Sequence, residues 1–336
     1  MTPLKLVFLG SDPIALPLLN WLAGEGRALA QMAAVFTQPD RPAGRGQVIT
    51  ANAIKTWALA QSLPVHQPEK LTDEVRVQLA GYGADLALVM AYGHILRDEF
   101  IGTPRLGTLN LHTSLLPKYR GASPIQTAIA GGERETGVTL MRIVRELDAG
   151  PVADVERTSI RPLDTAREIE SKLAAACVPL LARTLPRLRD GTLDFTPQDA
   201  AAVSFCRRLE KADGALDFAQ PAAALAARIN GLFPWPTCVI SLPGQDVKLG
   251  LADALPGSAT PGTVLGSDGD GLLVGTGSGV LRLRRLQRPG GKLLPAPDFL
   301  RGFPVPAGTT IPSRPMPALV SAAPFVVGRG RWYHAK

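Results

Sequence analysis

Residues 108–121, Thr-Leu-Asn-Leu-His-Thr-Ser-Leu-Leu-Pro-Lys-Tyr-Arg-Gly, set an amide, an imidazole and a hydroxyl two positions apart. Alternate residues of a strand share one face. If 108–113 is a strand, Asn110, His112 and Ser114 therefore converge near its end, where a purely structural strand would place apolar side chains. Further on, Met-Arg-Ile-Val-Arg-Glu-Leu-Asp-Ala-Gly-Pro-Val puts Asp148 just past another apolar run. A carboxylate there could meet His112 and orient its ring. Taken singly, Asp148 is an ordinary turn residue and His112 an ordinary core histidine. Their joint placement with Asn110 is what suggests chemistry.

One chemistry these residues could do is hydrolysis by a Ser-His-Asp set. The spacing opposes it, because Ser114 and His112 on one strand face point in parallel, whereas a nucleophile and its base must point at each other. The Gly-x-Ser-x-Gly elbow is also missing. Asn, His and Asp without a nucleophile suit acyl transfer to an amine. The amine is itself the nucleophile, and the protein has to stabilise the tetrahedral oxyanion and move protons. An Asn N–H and a protonated imidazole can supply those hydrogen bonds, with a carboxylate holding the imidazole. Neither a metal nor a covalent intermediate is needed.

These residues need a scaffold, and the chain alternates strand-like and helical stretches over 5–189. Strand-like runs occupy 5–10, 32–37, 85–92, 108–113 and 137–143, with helices expected near 14–23, 52–62, 73–81 and 123–130. A longer helix over 165–189 opens with a capping-box pattern at Thr165 and Glu168. Pro179 and Pro186 should kink or divide it. Such alternation predicts an α/β fold, a doubly wound, mostly parallel sheet flanked by helices. Ligands of these sheets bind outside the carboxyl ends of the strands, which places Tyr92 and His94 at the same rim as Asn110, His112 and Ser114. After the first strand, Gly-Ser-Asp-Pro-Ile-Ala is no dinucleotide fingerprint, and neither a Walker lysine pattern nor His-Glu-x-x-His occurs.

From about Asp190 the texture changes. A connector over 190–206 leads to one helix stopped by Pro234, then to short runs separated by Gly, Asp and Pro, the pattern of a small β-barrel. The domains expected are thus 1–189, a linker 190–206, and 207–336 with a proline-rich tail from about 302. At 336 residues with 46% hydrophobic and 19% charged, the chain can fill two cores. Residues 1–206 hold 21 basic and 21 acidic side chains, and 207–336 hold 15 and 8, so the whole net charge of +7 lies in the last third. That surplus is either a solvated surface or a patch for a polyanion such as nucleic acid. Three cysteines without zinc spacing suit a reducing cytosol. A signal peptide or membrane span is not indicated.

The run from Asn110 to Gln126, with Glu-Leu-Asp-Ala-Gly-Pro at 146–151, resembles the formyltransferase family that uses 10-formyl-tetrahydrofolate. Val35–Gly46, Met90–Leu96 and Ile229–Thr237 are similar to the branch of that family that acts on tRNA, and the likeness runs from about Lys5 to Leu300. The resemblance implies a formyltransferase fold with a tRNA-binding barrel. It puts Asn110, His112 and Asp148 at the catalytic positions and Ser114, Leu115, Leu116 and Pro117 in a folate-binding turn. The loop Asp40–Gly46 would reach the tRNA acceptor end through Arg41 and Arg45. The activity implied is transfer of a formyl group to the amino group of methionyl initiator tRNA for translation initiation, by a cytoplasmic monomer without a metal. Gln47-Val48-Ile49 stand where relatives often carry lysines, so this loop is less basic. Rivals are a sugar-nucleotide amine formyltransferase, a formyl-tetrahydrofolate hydrolase and a non-catalytic RNA-binding module. The loop 40–46 and the basic last third speak against the first, the basic last third alone against the second, and the Asn/His/Asp set against the third.

Overall fold

The computed structural model describes residues 2–44 and 46–325. The first strand, Leu4–Gly10, is buried at six of its seven positions, as a strand covered on both faces must be. It pairs in parallel with Ala30–Phe36 on one side and Leu86–Met90 on the other. Thr108–His112 follows in parallel beside Leu86–Met90, and Val65–His66 closes the opposite edge. The remaining two strands are the antiparallel part of this mostly parallel sheet. Glu135–Arg142 runs antiparallel to Thr108–His112, and Val152–Ser159, which the sequence pattern did not reveal, pairs antiparallel with it to form the other edge. The sheet therefore has seven strands, five of them parallel.

Helices form close to where apolar periodicity places them, at Leu16–Ala23, Ala53–Ala60, Asp73–Gly81 and Pro124–Ala130. The long helix Ala166–Arg189 begins in the expected capping box. Pro179 and Pro186 do not divide it. Each proline forfeits a backbone bond and crowds the preceding turn, but a buried stripe including Leu173, Leu180, Leu181, Leu185 and Leu188 keeps the helix one element against the sheet.

The C-terminal domain is an antiparallel half-barrel. Cys238–Leu242, Gln245–Leu255, Val280–Gln287, Leu272–Gly275 and Val264–Ser267 pair in that order, and Leu294–Pro295 adds to Val280–Gln287. Its inward residues, among them Leu249, Leu281, Leu283 and Leu286, form a core separate from that of the first domain. Helix Ala222–Gly231 covers this core and also packs on Pro124–Ala130 of the first domain. A Cβ at Gly231 would stand 2.5 Å from the Ala130 nitrogen, so the two helices meet at backbone distance.

From 303 to 319 the chain lies along the half-barrel. Ile311 is buried, the Leu216 carbonyl accepts from the Arg314 backbone N–H, and Arg228 donates to the Pro317 carbonyl. Val320–Ser321 then pairs antiparallel with Phe205–Cys206, which pairs in parallel with Arg120–Gly121 of the first domain. This small three-stranded sheet joins the loop after Thr108–His112, the linker and the tail. No helix among the described residues is long and apolar enough to cross a membrane.

Candidate active site

Asn110 and His112 lie on the strand Thr108–His112, as its alternation predicts. Asn110 is half-buried, and its side-chain amide makes no hydrogen bond within the described residues, so its N–H groups are available to a ligand. His112 is only 6% exposed. Its Nε2 lies 2.9 Å from the Tyr119 carbonyl. A carbonyl oxygen can only accept, so Nε2 carries a proton and donates it. The other nitrogen, Nδ1, faces Asp148 Oδ2 at 3.7 Å, an ion-pair distance rather than a hydrogen bond.

Asp148 reaches His112 by a route the sequence did not suggest. Because Glu135–Arg142 runs antiparallel, its end at Arg142 is level with Leu109, and the loop 143–151 has to return Asp148 to His112. The backbone of Asp148 sits at φ 48°, a left-handed conformation that non-glycine residues seldom adopt. Its carboxylate accepts from the Gly121 N–H at 2.8 Å. Its carbonyl, with that of Gly150, accepts from the Gln198 amide, each at 2.8 Å.

Ser114 is fully buried in the turn after the strand. Its hydroxyl donates to the Lys118 carbonyl at 2.7 Å, and its own carbonyl accepts from Thr139 Oγ1. The hydroxyl is thus committed to closing the turn, and the hydrolase arrangement does not form. Leu115, Leu116 and Pro117 line a surface cavity of about 240 Å³, together with Tyr119 and Glu133. Tyr119, at φ 60°, donates its hydroxyl to Glu133 at 2.8 Å. Burial and that bond push the Tyr119 phenol above its usual range, so it stays a donor. Burial pushes the nearby Cys206 thiol up to about 12, which removes it as a nucleophile.

Tyr92 and His94 flank each other edge to face with ring centroids 5.0 Å apart. The Tyr92 hydroxyl and His94 Nε2 are buried without a partner among the described residues. Burial holds the His94 imidazole below its ordinary range. Arg41 is exposed at the start of a hairpin, Arg41–Ala43 with Val48–Thr50, where the sequence suggests only a loop. Asp40, bonded by Lys55 and Gln67, pins the hairpin's base. Arg45 lies outside the described residues. No group of three His, Cys, Asp or Glu side chains among the described residues could hold a metal. Gln198, Ser204 and Gly121 also meet around the site and are invisible in the sequence, since polar linker residues and a loop glycine carry no periodic signal.

An amide donor on a strand, an imidazole beside it and a carboxylate returned to it by a loop meet at one rim of the doubly wound sheet, an arrangement that suits acyl transfer to an amine. Two family descriptions fit the chain in order, "Formyl transferase" over residues 4–185 and "Formyl transferase, C-terminal domain" over 208–304. The chain belongs to the formyltransferase family. Among its relatives is the methionyl-tRNA formyltransferase of Chromobacterium violaceum, 41% identical over 310 residues, covering 92% of this chain and 99% of that protein. The methionyl-tRNA formyltransferase of Ectopseudomonas mendocina is 41% identical over 297 residues, covering 88% and 94%. Among solved structures, an N-formyltransferase from Helicobacter canadensis shares the fold, with a TM-score of 0.62 at 18% identity over 83% of this chain and 99% of that one. HypX from Aquifex aeolicus, crystallised with tetrahydrofolic acid, gives 0.59 at 18% identity over 89% of this chain and 47% of its own.

Proposed function

We propose that the protein transfers the formyl group of 10-formyl-tetrahydrofolate to the free amino group of methionyl initiator tRNA, giving formylmethionyl-tRNA. The observation that carries this reading is 41% identity to a methionyl-tRNA formyltransferase across 92% of the chain, with Asn110, His112 and Asp148 brought together. In the reaction the amine nitrogen attacks the formyl carbon, and the bond from that carbon to N10 of the folate breaks. The incoming nitrogen gives up one proton and N10 takes one up, so the exchange is balanced. Asn110, with no partner among the described residues, donates to the oxyanion. Preorganised donors of this kind are worth about 10²–10³ in turnover. His112, backed by Asp148, moves the proton. For Nε2 to serve the reacting atoms, it exchanges the Tyr119 carbonyl for substrate. Ser114 keeps the turn Leu115–Pro117 in shape, and that turn contributes to the folate site.

The acceptor is recognised at two places. Arg41 on the exposed hairpin meets the acceptor end. On the half-barrel, Lys248, Arg285, Arg288 and Lys292 are exposed at one end of the paired strands Gln245–Leu255 and Val280–Gln287 and the turn that follows. They make no ion pair among the described residues. Arg282 and Arg284, by contrast, are held by Asp253, Asp268 and Asp270. The four exposed cations suit phosphates. The experiment is incubation with 10-formyl-tetrahydrofolate and methionyl initiator tRNA, with detection of formylmethionine on the tRNA. Formylation of an amino sugar nucleotide but not of the tRNA would replace this reading with the sugar-directed one.

A further inference from the structure

We propose that residues 198–206, between the two domains, clamp the His112–Asp148 pair, with Gln198 and Ser204 as its positioning residues. The inference rests on the catalytic reading of that pair. The Tyr119 carbonyl and the Asp148 carboxylate, which face the two nitrogens of the His112 ring, belong to residues in the left-handed region, at φ 60° and φ 48°. Neither is glycine, so each conformation costs free energy and persists only where its surroundings enforce it. The 198–206 segment supplies that enforcement on both sides of the ring.

On the Asp148 side, the Gln198 amide donates to the carbonyls of Asp148 and Gly150. Its own oxygen accepts from Arg120 Nε and Nη2 at 3.1 and 2.8 Å. On the Tyr119 side, Ser204 Oγ accepts from the Tyr119 N–H at 3.0 Å, and the Ser204 carbonyl accepts from the Arg120 N–H at 2.9 Å. Between them, Gly121 gives its N–H to the Asp148 carboxylate while Phe205–Cys206 pairs along Arg120–Gly121. Thus one segment fixes the carbonyl that holds Nε2, and also the backbone and carboxylate that face Nδ1. A passive tether would leave both unsupported. Val320–Ser321, on the far side of Phe205–Cys206, holds the clamp from behind.

The test uses the full chain. Gln198→Ala and Ser204→Ala are compared with Ser204→Thr, which keeps the acceptor oxygen. Three quantities are measured: turnover and Michaelis constant for 10-formyl-tetrahydrofolate, melting temperature, and the NMR signals of the His112 ring. Misplacing reacting groups costs rate rather than uniform binding, so both alanine variants should lose roughly ten- to a hundredfold in turnover with the donor constant within about twofold. Ser204→Ala, which loses one hydrogen bond, should lower the melting temperature by no more than about 4 °C, and Gln198→Ala, which loses four, by more. The His112 signals should shift in both alanine variants and return in Ser204→Thr, while those of His66 stay put. Unchanged His112 signals and turnover in both alanine variants overturn the clamp. So does a loss of turnover that tracks melting temperature with unmoved His112 signals. If the wild type formylates nothing, the functional reading fails, and the His112 signals still decide the clamp.

Discussion

Replacing Gly121 with alanine should damage catalysis more than the loss of one glycine from a loop ordinarily would. A Cβ at this position would stand 2.1 Å from the Cys206 carbonyl oxygen, against 3.4 Å or more for ordinary contact. The obstacle is backbone, so Arg120–Gly121 and Phe205–Cys206 have to part by about 1 Å, a displacement that costs on the order of 10²-fold in rate when it moves reacting groups. The residue also sits at φ 119°, where an L side chain costs about 1–3 kcal/mol. Its N–H bond to the Asp148 carboxylate is charge-assisted and contributes about 1.5–3 kcal/mol. We expect Gly121→Ala to lose several kcal/mol of stability and about a hundredfold in turnover of the folded fraction. Gly83→Ala is the control, since Gly83 has φ 54° but nothing within 4 Å of its would-be Cβ. It should lose stability and keep turnover. Chemical denaturation gives the first quantity, and single-turnover formylation at saturating donor gives the second. Wild-type turnover in Gly121→Ala would refute the link from this glycine through Asp148 to His112.

Asn110→Ala should cut turnover by about 10²–10³ with little change in donor binding or melting temperature. A loss confined to the Michaelis constant would make Asn110 a binding residue instead. Changing Lys248, Arg285, Arg288 or Lys292 to glutamine should lower the slope of log affinity for tRNA against log salt by about 0.7–0.9 for each phosphate no longer neutralised. Arg282→Gln should leave that slope alone and reduce stability, because its guanidinium is tied to Asp253 and Asp268. Acid should destabilise the fold through His66, whose imidazole burial holds below its ordinary 6.5. The neutral ring, stacked on Phe36 and bonded to Tyr82, is the form the fold accommodates. That stability is complete above the unfolded pKa and is lost as pH falls through the folded one. His66→Asn should flatten the decline in denaturation midpoint as the pH is taken below about 6.5.

The strand Thr108–His112 and the capped helix Ala166–Arg189 were legible in the sequence because period and capping are local properties. So was the convergence of Asn110 and His112, which follows from alternation alone. Strand direction is not local. The run 137–143 looks the same whether it pairs parallel or antiparallel, and only the structure shows that a loop must bring Asp148 back. Ser114 does lie in the turn after the strand, but its hydroxyl bonds Lys118 rather than facing outward, a choice set by turn geometry. For the tail, the sequence leaves packing, RNA contact and flexibility equally open. Its residues through Ser321 pack along the half-barrel and end in a strand whose partner lies far away in sequence. Gln198 and Ser204 sit in a polar connector, and nothing in their spacing distinguishes a clamp from a tether.

The three-stranded sheet of Arg120–Gly121, Phe205–Cys206 and Val320–Ser321 also sets an order of events in biosynthesis. Contacts between residues so distant in sequence form late, after the loops between them have closed. Chains emerge from the amino end at about 5–20 residues per second, so the tail strand follows the linker strand by on the order of ten seconds. During that interval the first domain can complete its parallel sheet and the half-barrel its own core. The edge of Phe205–Cys206 that faces the tail waits unpaired. Full assembly of the three-stranded sheet beside Tyr119 and Asp148 therefore waits until Val320–Ser321 has emerged.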